Sequence, residues 1–429
     1  MKYNKCIGTR DVLPEESIIW EYVAQKLRDI SYLYGFGEIR TPTFEHAEVF
    51  IHSVGDTSDI VTKEMYLFND KSDRSLVLKP EGTAGIVRAY IENHFHVKPK
   101  PVKLFYMDAF FRYERPQKGR FREFHQYGVE LFGSKEPSSD AEVISLCFHI
   151  LSELGFKELL LELNSIGCNV CRPPYREQLI AFLQDHQAHL CEDCNKRMDK
   201  NPLRVLDCKK PQCKKAVQDA PRIDENLCPV CDEHYTQLQQ LLNDLQIPYK
   251  KNPWLVRGLD YYQQTVFEVL SSDLGSQSAL LGGGRYDGLA EILGGPHTPA
   301  IGFAMGLERL IMLIQQFKNW DHLRPLSPVA YIAHEGFSTL SQAMKIAGLL
   351  RAQAIAVEMD LECKGIKKGL EVAIKKGAAY AILLGSEEME QGTVTLKNLS
   401  SRNQQSCKVN DLIPTIQQHL EEHHDISKS

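Results

Sequence analysis

Apolar positions along this chain recur with two periods, and the changes of period divide it into elements. In the first segment Ile19, Tyr22, Val23, Lys26, Leu27 and Ile30 keep a helical spacing that carries on to Tyr34. Pro14 suits the first turn of such a helix, and Glu15 and Glu16 suit its electropositive end. The run GFGEIRTPTF then turns and becomes extended, with Pro42 restricting Thr41 to β or polyproline geometry. EMYLFND and RSLVLKP predict a hairpin around Asn69 to Asp73, and its second strand leads straight into a helix over EGTAGIVRAYIEN. KLFYMDAFF and FHQYGVELF predict two more strands, joined across Pro116 and Gly119, residues that a turn needs. A helix from about Ser138 to Leu154 and a strand over ELLLELNS follow.

Further along, PWLVRGLDYYQQTVFEVLS reads as two strand segments interrupted by a polar cluster. ALLGGGRYDGLAEIL reads as a strand, a glycine turn and a helix. AIGFAMGLERLIMLIQQF is a strand-to-helix transition in which Gly302 and Gly306 allow close backbone approach. Beyond a polar, proline-containing stretch from Asn319 to Pro328, the tail alternates. VAYIAH, a helix near Ser338 to Arg351, AIAVEMD, the helix GIKKGLEVAIKKG and AYAILLG form a βαβαβ unit, which TVTLKNL, SCKVN and a final helix complete. Such alternation predicts a parallel or mixed sheet covered by helices. Lys364, Lys367, Lys368, Lys375 and Lys376 gather on or beside one of those helices, as solvated surface or as an RNA-facing patch.

Composition narrows the functional classes. A chain of 429 residues with 43% hydrophobic and 25% charged residues has room for two to four globular domains. No apolar run approaches 18 residues and MKYNKCIGTRD has no apolar signal region, so a cytoplasmic protein without membrane spans is expected. The net charge of −6 restricts any nucleic-acid contact to local basic patches. One such patch is Arg112, Arg115, Lys118, Arg120 and Arg122, five basic residues interrupted by the single acid Glu114. Polar Glu81-Gly82-Thr83 at a strand-to-helix junction suits a site, with free backbone donors and an inward carboxylate, although Thr83 also suits a plain helix cap.

Between Gly167 and about Leu245 the composition shifts, which marks an inserted module. Eight of the twelve cysteines lie there, in the pairs Cys168/Cys171, Cys191/Cys194, Cys208/Cys213 and Cys228/Cys231. Lys196, Arg197, Lys209, Lys210, Lys214 and Lys215 accompany them. In a reducing compartment the pairs are metal ligands, enough for two structural zinc sites, or reduced thiols that pack a small insert. Neither a Walker A loop nor a dinucleotide fingerprint is present, so a nucleotide would have to be held by arginines and a sheet.

Five stretches carry a family resemblance. FRYE (111–114), followed by a basic loop and Phe124, resembles the second signature motif of class II aminoacyl-tRNA synthetases. GFAMGLERL (302–310) is similar to the third motif and GEIRTPTFE (37–45) to the first. RGLDYYQQTVFEV (257–269) and GGGRYDGL (282–289) resemble the two blocks particular to histidyl-tRNA synthetases. With IGTRD near the start and the terminal α/β unit, the likeness covers nearly the whole chain, and class I signatures are absent. It implies an α+β catalytic domain built on an antiparallel sheet, residues 1–166 and 247–318, interrupted by a cysteine-rich helical insertion at 167–246. A linker at 319–328 and an α/β anticodon-binding domain at 329–429 would follow, in a homodimer formed through the first motif.

The activity implied is ligation of L-histidine to its tRNA in two steps, with ATP and Mg2+. Negative charge builds on the phosphoryl oxygens during activation, so fixed cations are the main requirement. By resemblance, Arg112 bridges the α-phosphate and the substrate carboxylate, a task suited to a forked guanidinium. Arg257 stands beside the α-phosphate, where other class II enzymes use a metal, and Arg309 holds the γ-phosphate. Glu114 meets the adenine amino group, Phe124 stacks on the ring, and Arg120 belongs to the same ATP side. Glu81, Thr83 and Gln126 take the amino group of histidine. Glu130 and Tyr262 take the imidazole, and Tyr261 and Tyr286 wall the pocket. Arg115 and Gln117 match positions used on the tRNA acceptor end. Two other readings compete: a catalytically inactive synthetase-like regulatory subunit or tRNA sensor, and a zinc-ribbon nucleic-acid-binding protein. Loss of the arginine in RGLDYY or of the terminal domain would favour the first, and both are present; the second explains only the insert.

Overall fold

Strand alternation through the first three hundred residues produces eleven strands, described in a computed structural model covering residues 3–55, 58–115, 119–272, 278–317, 320 and 327–417. In chain order they are β1 (Gly37–Glu38), β2 (Phe44–His46), β3 (Tyr66–Asn69), β4 (Ser75–Leu78), β5 (Val102–Phe111), β6 (Glu123–Phe132), β7 (Leu159–Ser165), β8 (Tyr249–Lys251), β9 (Gln263–Ser271), β10 (Ser278–Arg285) and β11 (Ala300–Gly306). Eight of them form one sheet in the order β1-β5-β6-β11-β10-β9-β7-β8, and β2-β4-β3 form a small second one. The six central strands of the large sheet pair antiparallel; only β1 with β5 and β7 with β8 run parallel.

Helices close the faces of the sheet where the apolar spacing predicts them. The helix Pro14–Leu33 buries Ile19, Val23, Leu27 and Ile30, and Ser31 on the same side hydrogen-bonds the Tyr127 hydroxyl at 2.7 Å. Tyr127 itself belongs to β6, so helix and sheet are joined by packing and by one satisfied polar contact. The insert leaves from the end of β7 and returns at β8, two neighbours in the sheet, so the strands beneath it pair without a gap. Its helices, among them Arg172–Asp185 and Pro229–Asp244, bury Tyr175, Leu179, Leu183, Val205, Leu206 and Ile223 in a core continuous with that of the sheet.

Two elements differ from expectation. PWLVR is a loop, because Pro253 has no N–H to give to a ladder and the Asn164 amide takes the carbonyls of Pro253 and Leu255, at 3.2 and 3.0 Å. The three glycines 282–284 are strand interior rather than turn, and β10 runs through them to Arg285. A side chain at Gly283 would meet the Gly302 carbonyl at 2.2 Å, so close strand approach explains the glycine run.

The chain divides into two compact units, Met1–Val12 with Ile19–Lys318 and Leu13–Ile18 with Asn319–Ser429. The second contains β12 (Ala330–His334), β13 (Val357–Met359), β14 (Tyr380–Leu384), β15 (Thr393–Asn398) and β16 (Gln404–Lys408), ordered β13-β12-β14-β15-β16. Its first three strands are parallel and the last two antiparallel, a mixed sheet as the alternation implies. Lys367, Lys368 and Lys375 are exposed on its helix Ile366–Lys375. Among the described residues no helix is long and apolar enough to cross a membrane.

Arg285 is wholly buried, and its guanidinium meets Asp140, also wholly buried, through Nε at 2.9 Å and a terminal nitrogen at 2.6 Å. Its remaining donors reach the carbonyls of Ser134 and Glu136. Replacing Arg285→Met leaves Asp140 buried with its main partner gone, a loss of about 3–5 kcal/mol in denaturant unfolding. Lys196→Ala removes an exposed pair with Glu192 and is expected to leave the denaturant midpoint unchanged.

Candidate active site

The side chains of a strand alternate between faces, so Phe124, Gln126, Gly128 and Glu130 share one face of β6. The register extends that face across the sheet. Tyr106 lies opposite Gly128 on one side; Gly302, Ala304 and Gly306 lie opposite Glu130, Gly128 and Gln126 on the other. Gly282 then faces Ala304, and Glu268 faces Gly282. The floor is therefore paved with residues that have little or no side chain, and a cavity of about 440 Å³ stands over it. Two glycines are dictated by contact. A Cβ at Gly302 would lie 1.9 Å from a Glu130 carboxylate oxygen, and one at Gly282 would lie 2.4 Å from the Arg257 guanidinium.

Two buried carboxylates mark one part of the site. Glu81 accepts the backbone N–H groups of Thr83 and Ala84 at 2.9 and 2.8 Å, and the Tyr261 hydroxyl at 3.4 Å. Glu81 thus caps the helix Thr83–Glu92, which leaves the Thr83 hydroxyl to donate to Glu130 at 2.8 Å. The other Glu130 oxygen accepts from the Tyr286 hydroxyl. Burial raises the pKa of both acids, and carries Glu130 from 4.5 to about 8 against the pull of those hydrogen bonds.

Arginines mark the remainder. Arg112 donates through Nε to the Pro80 carbonyl at 2.8 Å and lies over the Phe124 ring at 5.3 Å. Arg257 is paired with Glu268 at 2.5 Å and lies over Tyr262 at 5.8 Å, with its Nε buried and making no hydrogen bond. Glu114 and Arg120 form a loose pair at 3.5 Å on the basic loop. Arg309 comes from the first turn of the helix Leu307–Phe317. Glu308 before it fixes that turn to β6, accepting the His125 backbone N–H at 2.8 Å and contacting its ring at 2.9 Å.

Glu81, Thr83, Arg112, Glu114, Arg120, Phe124, Gln126, Arg257, Tyr261, Tyr262 and Arg309 all line this one cavity. Glu130 and Tyr286 sit just behind Thr83 and are reached through its hydroxyl. Arg115 is exposed and does not line the cavity, and Gln117 lies outside the described residues. Sequence reasoning missed Asp59, Glu64, Tyr106 and Arg204, which also line it. Strand alternation from Asp108 and Phe110 back to Tyr106 carried a signal for the tyrosine; Arg204 comes from the insert and has no local one.

The eight insert cysteines gather into two groups of four, Cys168/Cys171/Cys228/Cys231 and Cys191/Cys194/Cys208/Cys213, with the sulfurs of each group within 4.8 Å of one another. Sγ separations include 3.7 Å for Cys168–Cys171, 3.8 Å for Cys168–Cys228 and 4.0 Å for Cys191–Cys208. Zinc–sulfur bonds of about 2.3 Å in a tetrahedron put sulfurs about 3.8 Å apart, whereas a disulfide needs about 2.05 Å. Backbone N–H groups of Val170, Cys191 and Cys228 point at Cys168, Cys213 and Cys171 sulfurs at 3.3, 3.2 and 3.1 Å, as thiolate ligands require. Both groups fit a thiophilic metal ion.

Comparison with known proteins follows the same outline. The family profile described as histidyl-tRNA synthetase matches residues 8–310, and one described as an anticodon binding domain matches residues 329–419. A histidine–tRNA ligase of Pelotomaculum thermopropionicum is 45% identical over 96% of this chain and 97% of its own length. One of Acetivibrio thermocellus is 46% identical over 95% and 98%. The crystal structure of the apo histidyl-tRNA synthetase of S. aureus superposes with a TM-score of 0.81 at 34% identity, covering 96% of this chain and 99% of that one.

The raised Glu130 pKa has a consequence for stability. Between pH 4.5 and about 8 the folded protein keeps a proton on Glu130 that the unfolded chain has released. This acid's contribution is therefore greatest at low pH and declines as pH rises through that window. Thermal melts of the ligand-free protein from pH 4.5 to 8.5 should show wild type losing ground steadily to Glu130→Gln. A pH-independent difference between the two would contradict the assignment.

Proposed function

The chain belongs to the histidyl-tRNA synthetase family, and from that premise we propose how its cavity ligates histidine to tRNA. In the first step the histidine carboxylate attacks the α-phosphorus of ATP, forming histidyl-adenylate and releasing pyrophosphate. In the second, the terminal ribose hydroxyl of the tRNA attacks the adenylate carbonyl. The observation that carries the site assignment is the convergence, over one glycine floor, of buried carboxylates and arginines from four separate sequence blocks.

Arg112 and Arg257 act as the catalytic cations, gripping the α-phosphate as charge builds on its oxygens. Arg257 can do this because Glu268 fixes one of its nitrogens while the guanidinium still borders the cavity. Arg309 takes the γ-phosphate; Glu114, Arg120 and Phe124 take the adenine side. Glu81, held by two backbone N–H groups, faces the substrate ammonium together with Thr83 and Gln126. Glu130 and Tyr262 read the imidazole, with Tyr261 and Tyr286 beside them. A substrate lacking ring nitrogens leaves those polar groups unpaired, which discriminates strongly in a buried site. Mg2+ bound with ATP would neutralise phosphate charge, and Glu64 at the cavity is an oxygen donor of the type it takes.

Arg115 and Gln117 would meet the acceptor end of the tRNA, and residues 329–429 the anticodon, in a cytoplasmic homodimer. The presence of Arg257 and of the terminal unit favours this reading over an inactive regulatory subunit. The proposal includes one structural Zn2+ in each cysteine group, supported by the tetrahedral sulfur spacing. Such an ion would crosslink the insert without touching the reacting atoms.

Purified protein should exchange pyrophosphate into ATP with histidine and with no other amino acid. Arg257→Ala should abolish that exchange while ATP still binds. Histidine binding without exchange in the wild type would favour the regulatory reading instead. A second variant, Glu130→Ala, should raise KM for histidine far more than KM for ATP; equal effects on both would remove Glu130 from the imidazole.

A further inference from the structure

The two cysteine groups occupy different places in the insert. Cys168 and Cys171 precede the helix Arg172–Asp185, and Cys228 and Cys231 open the helix Pro229–Asp244, so the first group closes the root. The second lies further out. Cys191 and Cys194 begin the short helix Glu192–Arg197, and Cys208 and Cys213 follow the still shorter helix Leu203–Leu206. Between the inner ligands, residues 195–207 hold only the end of one six-residue helix and a helix of four, and helices of this length do not stand on their own in water.

This same segment reaches the active site. Arg197 donates to both oxygens of Asp59, at 2.9 and 2.8 Å. The Asn201 amide donates to the Asp260 carboxylate at 2.7 Å. Arg204 donates to the Gly258 carbonyl, stands 3.7 Å from Asp59 and lines the cavity. Gly258 and Asp260 directly follow Arg257, in a stretch where residues 252–262 belong to no strand. Side chains, rather than a ladder of backbone bonds, hold that stretch in place.

We propose that the metal at Cys191, Cys194, Cys208 and Cys213 sets the position of Arg257, by fixing the segment whose Asn201 holds the Asp260 carboxylate and whose Arg204 holds the Gly258 carbonyl. This rests on the readings above, that the cavity activates histidine and that the cysteine groups hold zinc. Arg204 is then a positioning residue. A guanidinium fastened to the Gly258 carbonyl fixes the direction of that peptide, and with it the path of the main chain leaving Arg257. The crosslink removes conformational freedom that residues 195–207 would otherwise recover.

The test compares the full-length wild type with Cys208→Ser/Cys213→Ser, Arg204→Ala and Arg204→Lys. Zinc content, histidine-dependent pyrophosphate exchange and amide hydrogen exchange over residues 254–262 are measured on each. Wild type should carry two zinc ions per chain, one for each cysteine group. The double cysteine variant should keep one, exchange amide hydrogens faster over 254–262, and lose about ten- to a hundredfold in turnover with KM for ATP changed less than about twofold. Arg204→Ala should keep both ions and reproduce the other two effects, and Arg204→Lys should recover part of the loss. Normal turnover and amide protection in either the zinc-depleted variant or Arg204→Ala overturns the coupling and leaves the zinc and activation readings standing. A wild type that exchanges pyrophosphate but holds no metal overturns the zinc reading, and this inference with it. One that holds two ions without histidine-dependent exchange overturns the activation reading instead.

Discussion

The ion pair between Arg285 and Asp140 is the constraint on which the catalytic unit depends. A guanidinium with no exposure is stable only if every donor is used, and here carboxylate oxygens and the carbonyls of Ser134 and Glu136 use them. The neighbours of Arg285 then fall into place. Tyr286 reaches Glu130, and Asp287 accepts the Ala300 backbone N–H at 3.0 Å, which sets the start of β11 against the end of β10. On the other side, His234 of the insert lies 3.3 Å from Asp140, so the same carboxylate joins sheet, helix and insert. The placement of Glu130 and the inter-strand register therefore share one buried charge.

What the sequence disclosed and what it hid follow from the range of the forces involved. Period-2 alternation placed Phe124, Gln126 and Glu130 on one face, and helical spacing found Ile19, Val23, Leu27 and Ile30, because both depend on neighbours a few residues away. The glycine run at 282–284 was misread as a turn because its meaning lies in the strand beside it, where the Gly302 carbonyl leaves no room for a Cβ. PWLVR was misread because an amide from Asn164, nearly ninety positions away, satisfies its carbonyls. Cysteine spacing marked four pairs that could ligate a metal, but their partition into root and outer groups joins residues up to 63 positions apart and emerges only from the fold. Glu81, expected at the ligand, accepts the first N–H groups of a helix, a role that only the folded geometry reveals.

Arg204 belongs with the hidden class for the same reason. One arginine among several in a basic insert reads as surface, yet it borders the cavity built by residues from both flanking parts of the chain. Insert and catalytic sheet share one continuous apolar core, so they form a joint structure rather than a body with an appendage.

The glycine floor has a consequence for how this pocket can change. Gly128, Gly282 and Gly302 are already at the lower limit of side-chain size, and Ala304 has one methyl left to lose. Nearly every substitution in the floor adds volume, so mutational drift there runs one way, toward a shallower pocket. Such a cavity is lost by filling and not by enlargement, so errors in its base close it before they widen it.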